Sequence, residues 1–464
     1  MSRSAVIAAL QRQFDSGRFL KDLARLVAYR TESQLPERLP DLYAYQSEVI
    51  TPWLERLGYR VDLFDNPVAS GGPFLIGRRM ENEAVRTVLT YGHGDVVRGL
   101  EADWLEGLDP WTLTCRGDRV YGRGVADNKG QHAAALTALE QVIATRGRLG
   151  FNSVVFIESS EEIGSPGIHE FAAAHSHLLS ADVLIASDGP RVAIDRPTLF
   201  LGSRGAMNVE LSLQLRDTGH HSGNWGGLLA NPGILLAHAI ASIVSGKGEI
   251  LVPGLKPSAI PETVRHALAD ITVDAGDGAP QIDGWWGEPG LTAPEKVFGW
   301  NSFDVLAFVT GNPDNPVNAV PPRAYAHCQV RFTVDTDPDG FIAAIRRHLD
   351  GAGLSMVEVS EAPGRTRWAA TRLDPNHPWV RWAAQSIEHT TGKQPAILPN
   401  LGGSLPNDVF ANALGMPTIW VPHSYAGCSQ HAPNEHGLAP LMREALEIMG
   451  GLFWDLGEGA IKGE

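Results

Sequence analysis

Four stretches of this chain share one form: an apolar run of strand length that ends in a residue able to hold a metal ion. They are Thr87–Asp95, with His93 near its end; Val154–Ser165, with Glu161 and Glu162; Asp182–Gly189, with Asp188; and Thr418–Pro422, which leads on to His431. Apolar runs that do not alternate with polar residues mark strands buried on both faces, which is how parallel sheets covered by helices are built. In such sheets ligands gather in the crevice beyond the carboxyl ends of the strands. The runs therefore predict an α/β fold in which His93, Glu161, Glu162, Asp188 and His431 converge on one acidic, histidine-bearing pocket.

Between the first two runs lies Tyr121–Gly130, where Gly122, Gly124 and Gly130 allow a tight turn and close backbone approach. A helix with an apolar face is predicted over Gln131–Ile143. Asp127 stands just before it, and taken alone would be a helix cap; the company of the other ligand-type residues makes it a pocket candidate instead. Glu161 and Glu162 are neighbours in what reads as an extended segment, so their side chains should point to opposite sides, one to metal and one to substrate. Asp95, two residues past His93, should face the same side as that histidine and orient its ring.

At 464 residues the chain is too long for one ordinary core. Helical periodicity occupies residues 4 to 58, its second piece being Pro40–Gly58. After Gly202–Ala206 the pattern changes: Met207–Arg216 alternates apolar and polar residues, as a sheet with one open face does. Asn231-Pro232 supplies a helix cap and a first-turn proline. An insertion rich in Pro, Gly and Trp, about 250 to 300, is followed by strands at Ser302–Thr310 and Tyr325–Val334, a helix at Phe341–Leu349 and a strand at Ser355–Ser360. That order, β-α-β-β-α-β, is a ferredoxin-like α+β module. The α/β pattern returns from Asn376 and supplies His431, so the α/β domain is expected to be discontinuous, 1–204 and 371–464, around a module at 205–370.

With 38 basic against 53 acidic residues, net −15, the chain is a poor partner for a polyanion, and nucleic acid is not expected. Cys115, Cys328 and Cys428 are scattered and read as reduced thiols. No stretch has the apolar length of a membrane span, and the N-terminal apolar run is too short for a signal-peptide core, so a cytoplasmic protein is expected. Lys129 lacks the Gly-Lys-Ser/Thr context of a phosphate loop, and Ser222 and Ser404 lack the nucleophile elbow. His132, His169, His175, His177 and His238 fall in helical stretches as packing or surface residues, while His423 and His436 are rivals of His431.

In order along the chain stand His93-x-Asp95, Gly122-Arg-Gly-x-x-Asp127-x-Lys-Gly130, Glu161-Glu162-x-Gly-Ser165, Ser187-Asp188-Gly189, His221-Ser-Gly223, Gly402-Gly-Ser404-x-Pro406 and His431-x-Pro-Asn-Glu435. Over nearly the whole chain this set resembles the family of two-zinc hydrolases that includes cytosolic non-specific dipeptidase, carnosinase, carboxypeptidase G, aminoacylase, acetylornithine deacetylase and succinyl-diaminopimelate desuccinylase. The resemblance implies that Asp127 bridges two metal ions, with His93 and Asp188 completing one site and Glu162 and His431 the other. It further implies a metal-bridging hydroxide as nucleophile, with Glu161 as general base and proton shuttle. Asn318 and Arg331 match lid residues that hold the substrate carboxylate or carbonyl. Gly403 and Ser404 are similar to a loop that binds the substrate's other end. The resemblance implies that 1–204 and 371–464 form the catalytic domain and 205–370 a lid and dimerisation domain. A cis Asp127-Asn128 bond is implied as well. So is a homodimer in which His221 reaches across to donate a hydrogen bond to the oxyanion in the facing site.

The function expected is thus zinc-dependent hydrolysis of amide bonds in small peptides or N-acyl amino acids. Manganese or cobalt would suit the same imidazole and carboxylate ligands. Aspartate at position 188 looks more like the dipeptidases and aminopeptidases of that family; a dipeptidase comes first and an N-acyl-amino-acid deacylase second. An inactive metal- or ligand-binding relative is the reading from another class, and the complete ligand set with Glu161 argues against it.

Overall fold

The computed structural model describes residues 2–273, 281–363 and 367–459. Its larger sheet has eight strands in the order Arg60–Phe64, Phe74–Arg79, Asn152–Glu158, Thr87–His93, Val183–Ala186, Thr418–Trp420, Thr198–Phe200 and Ala396–Leu398. The four central strands are the four apolar runs, and they are mutually parallel. Antiparallel pairing enters only toward the edges. Alternate residues of the same strand go to different cores: Val88, Val155, Ile185 and Ile419 pack on one face of the sheet, Leu89, Phe156, Leu184 and Trp420 on the other. Burial on both faces is why these strands carry no polar alternation.

The first core is roofed by helices Arg3–Asp15, Lys129–Arg146, Pro378–Thr391 and Ala439–Leu456. The first eleven residues of Lys129–Arg146 are buried all round, as befits a helix laid across a sheet beneath others. The helix expected over Pro40–Gly58 is instead three pieces, Leu39–Ala44, Tyr45–Ile50 and Thr51–Arg56, the middle one wound as a π-helix. Its wider turn leaves both Tyr45 and Gln46 fully buried. There the Tyr45 hydroxyl meets His132 at 2.7 Å, and Gln46 donates to Ser159 Oγ at 2.9 Å. The second core takes in Ile260, Val264, Leu268 and Phe298, from helices Glu262–Leu268 and Ala293–Phe298 and the residues beside them. Part of the Pro-, Gly- and Trp-rich insertion thus packs on the large sheet.

A second sheet runs Ser302–Thr310, Arg323–Phe332, Gly205–Gln214, Glu358–Glu361, all antiparallel. Helices Pro232–Ile243 and Phe341–Gly351 cover one face of it. In sequence order its strands lie 2-3-1-4, the ferredoxin-like arrangement. Asn231 caps the first helix by accepting from the Gly233 and Ile234 amides, and Pro232 fills the first turn. The chain passes between the two sheets at two points that grip one another. The Thr371 amide donates to Ser203 O at 2.9 Å, and a side chain on Gly202 would come within 2.1 Å of Thr371 O. Among the described residues no helix is long and apolar enough to cross a membrane.

Candidate active site

The carboxyl ends of the four parallel strands open on one cradle. His93 closes the strand Thr87–His93, with Nδ1 3.1 Å from the Asp95 carbonyl oxygen and 3.4 Å from its carboxylate. The carbonyl is the closer partner and can only accept from an Nδ1 proton, so in the neutral ring the Nε2 lone pair is the one free for a ligand. Nε2 lies 3.0 Å from Asp127 Oδ1 and 3.7 Å from Asp188 Oδ2. His431 Nε2 lies 3.0 Å from Asp127 Oδ2 and 3.1 Å from Glu162 Oε2. The two oxygens of Asp127 therefore serve two separate groups, His93–Asp127–Asp188 and Asp127–Glu162–His431. In each the ligand atoms lie within 4.8 Å of one another. Glu162 Oε1 and Asp188 Oδ2 are buried with no hydrogen-bond partner, which suits carboxylate oxygens that hold a cation. Imidazole and carboxylate donors in this number suit two divalent ions.

The loop bearing Asp127 is held from far along the chain. The carboxylate of Glu435 accepts from the amides of Gly124, Ala126 and Asp127 at 3.1, 2.9 and 3.1 Å, and from the Arg123 guanidinium at 2.9 Å. Gly130 must be glycine, because a side chain there would meet Val125 O at 2.0 Å. Asn128, not Asp127, is the N-cap residue of the following helix, so the capping alternative for Asp127 falls. The Asp127-Asn128 bond is cis. Asn128 Nδ2 donates to Ser187 O at 2.8 Å, and its Oδ1 lies 3.2 Å from His132 Nδ1.

Glu161 and Glu162 do not lie in an extended segment, contrary to the sequence expectation. Glu161–Ile163 is a 3-10 turn, entered because the Asp95 carboxylate accepts from both backbone amides, each at 3.1 Å. Successive side chains in such a turn diverge by a third of a revolution. Glu162 accordingly turns to His431, and Glu161 lines the cavity outside both ligand groups.

Charge crowding shows in the acidities. Burial raises Glu162 to about 7 and Asp188 to about 6, the negative charge of Asp127 adding to both. Glu161 is raised well above the carboxylate range, first by burial and also by repulsion from Glu162 and Asp188. Hydrogen bonds to Asp127 and Glu162 lift His431 to about 11. Asp127 itself is held low: burial opposes this, and the bonds from His431 and His93 outweigh it.

A cavity of about 810 Å3 joins Asp127, Glu161, Glu162, Asp188 and His431 to Arg331, Gly403 and Ser404. Arg331 sits on the open face of the second sheet, where Nη1 donates to Ser404 Oγ at 2.8 Å and Nε to Gln329 Oε1 at 2.8 Å. Gln329 Nε2 donates in turn to Asn208 Oδ1 at 3.1 Å. Asn208 and Gln329 were not foreseen, although the alternation of their strands puts them on the face of Arg331. Gln430, also unforeseen, donates to Asp127 Oδ2.

Asn318 and His221 are not in this cavity. They lie together and exposed at the far end of the second sheet, where His221 pairs with Ala319 and the Ser222 amide donates to Asn318 O at 2.8 Å. Asn318, which the resemblance groups with Arg331 as a substrate-holding residue, therefore does not line the cavity that Arg331 lines in the same chain. Of the rival histidines, His436 bonds the Tyr425 hydroxyl at 2.6 Å, and His423 is buried outside both ligand groups. Lys129 has a structural task, donating to the carbonyls of Leu26 and Tyr29 at 3.1 and 2.7 Å.

Residues 89–454 match the family described as Peptidase family M20/M25/M40. The human Beta-Ala-His dipeptidase is 30% identical over 442 residues, covering 90% of this chain and 86% of the relative. The cysteinylglycine-S-conjugate dipeptidase of Corynebacterium striatum is 26% identical over 395 residues, 84% of each chain. The crystal structure of human carnosine dipeptidase 1 superimposes with a TM-score of 0.79 at 22% identity over 99% of both chains, which shows a shared fold.

Proposed function

The chain belongs to peptidase family M20/M25/M40, and from that premise we propose that it is a two-metal dipeptidase. The observation that carries this reading is Asp127, whose two oxygens face two histidine–carboxylate groups at 3.0 Å each, beside a cavity that also holds Arg331. Two divalent ions held by His93, Asp127, Asp188, Glu162 and His431, with zinc as first choice, would supply an acidified water and polarise a carbonyl oxygen. Glu161, lining the cavity but outside both ligand groups, is placed to accept a proton from an attacking water and to return it to the leaving amine. Asp95 fixes both glutamates by their amides and His93 by its carbonyl. Arg331 holds the substrate carboxylate through its planar fork, and Gly403 and Ser404 complete that wall.

Within this proposal the catalytic domain comprises residues 1–204 and 371–464 and the lid 205–370, in a cytoplasmic homodimer. The outer lid strand Ser302–Thr310 supports the dimer: it is a sheet edge bearing exposed Val305, Leu306 and Phe308, an open template for a second copy. His221 and Asn318, remote from their own cavity and flanked by exposed Trp225 and Val317, would then act in the facing site. The test is to strip metal with a chelator, restore zinc, manganese or cobalt, and assay simple dipeptides against N-acetyl amino acids. Dipeptide hydrolysis that needs two metal equivalents per chain is the expected result. Exclusive hydrolysis of the N-acetyl series overturns the dipeptidase reading in favour of a deacylase.

A further inference from the structure

The cavity contains an apolar slot beside Arg331 that the metal chemistry does not use. Antiparallel pairing sets Trp368 opposite Ala206 and Ala206 opposite Arg331, so the three side chains stand in one row on the open face of the lid sheet. The pairing at Trp368 is firm, with amide–carbonyl bonds of 3.0 and 3.1 Å exchanged with Ala206. Strands lie about 4.8 Å apart, so the backbones of Trp368 and Arg331 are separated by roughly 10 Å, with Ala206 between them. Leu401, Val297 and Phe298 border the same cavity. The last two come from the insertion helix Ala293–Phe298, pressed so close to the Gly-Gly-Ser loop that a side chain on Gly402 would meet Val297 Cγ1 at 2.8 Å.

We infer that this slot is the specificity pocket for the C-terminal residue of the substrate, and that it selects large apolar side chains such as leucine and phenylalanine. The inference rests on the reading of Arg331 as the carboxylate holder. With the carboxylate on Arg331, the side chain of the same residue has one short reach, over Ala206 and against Trp368. The slot walls Trp368, Ala206, Leu401, Val297 and Phe298 carry no charge, so an acidic or basic C-terminal side chain among them would lose its hydration without an ionic partner. A glycine would leave the slot unfilled, forgoing the burial of every methylene that leucine supplies.

The metal-loaded full chain is assayed with Ala-Leu, Ala-Phe, Ala-Gly, Ala-Asp and Ala-Lys, and binding of free L-leucine, the product-like probe, is compared with glycine by calorimetry. We expect kcat/KM for Ala-Leu and Ala-Phe to exceed that for Ala-Gly by about tenfold or more, with the charged pair lowest. Trp368→Ala should cut the Leu-to-Gly ratio several-fold. Ala206→Leu, which fills the slot, should bring the ratio below one by favouring Ala-Gly, a reversal that misfolding cannot imitate. If no dipeptide is cleaved but leucine still binds more tightly than glycine and Ala206→Leu abolishes that difference, the dipeptidase reading fails and the slot stands. A flat series in both hydrolysis and binding overturns the slot, whatever the chain cleaves.

Discussion

The cradle at the strand ends and the open face of the lid sheet are built on opposite plans. In the cradle His93, Asp127 and Asp188 are buried to 0, 6 and 2% exposure, and each sits past the end of a strand or at its last residue. Their positions are over-determined: Asp95 and Glu435 each accept several backbone amides from the loops that carry the ligands. On the lid, Arg331, Gln329 and Asn208 lie within strands, half-buried, joined by a single chain of side-chain hydrogen bonds. The proposed cation ligands are held by many ties, His431 alone among the five being exposed, whereas the half-buried fork proposed to admit and release substrate has fewer. The difference teaches where a substitution should strike the chemical step and where it should strike binding.

The hardest test of that division lies inside the cradle. Glu161→Gln should lower kcat by about 10² to 10⁴, the usual worth of a positioned general base, while both metal equivalents stay bound. Metal analysis together with steady-state rates decides it, since loss of metal would make Glu161 a ligand and not a base. The lid would break the comparison if it contributed to the chemical step, and His221 is the residue to ask. His221→Ala should cost about 10² to 10³ in kcat if it donates to the oxyanion in a facing site. Mixing it with Glu161→Ala after subunit exchange should restore activity, and a dead mixture containing demonstrated heterodimers would end that role.

Arg331→Lys is expected to act on binding. Loss of the fork should raise KM by about tenfold to a hundredfold, in line with roughly 1.5 to 3 kcal/mol for a charged hydrogen bond, and change kcat less. A fall confined to kcat would move Arg331 into the chemistry.

The smallest expected effect is on stability. Glu158 lies beneath the cradle, accepting from the Tyr91 hydroxyl at 2.6 Å and Ser165 Oγ at 3.1 Å, and burial raises it to about 7. The folded state therefore favours its neutral form. That contribution is complete below the ordinary value of 4.5 and is lost as pH rises through 7. Glu158→Gln, neutral throughout, should gain in melting temperature relative to the parent between pH 5 and 8. A difference independent of pH would mean that Glu158 does not titrate in that window.

Much of the cradle was legible because its signals are local. A strand buried on both faces must be apolar at every position, so Thr87–His93 and Asn152–Glu158 announce themselves and their ends are easily found. The lid strands were visible through alternation, and Asn231-Pro232 marked its helix because capping chemistry is spelled by adjacent residues. The extended reading of Glu161-Glu162 failed for the converse reason. Nothing in that segment encodes the carboxylate of Asp95, which gathers both amides into a turn.

By itself, then, the sequence determined which residue types stand at the ends of which strands, and that a module of different periodicity interrupts them. Tertiary structure alone decided that Glu435 clasps the loop of Asp127, that Val297 and Phe298 wall the cavity, and that His221 and Asn318 sit together outside it. The physical reason is range. Periodicity and capping are set by forces between residues a few positions apart, whereas these contacts join segments whose adjacency follows from the order in which strands stack. No local pattern carries that order.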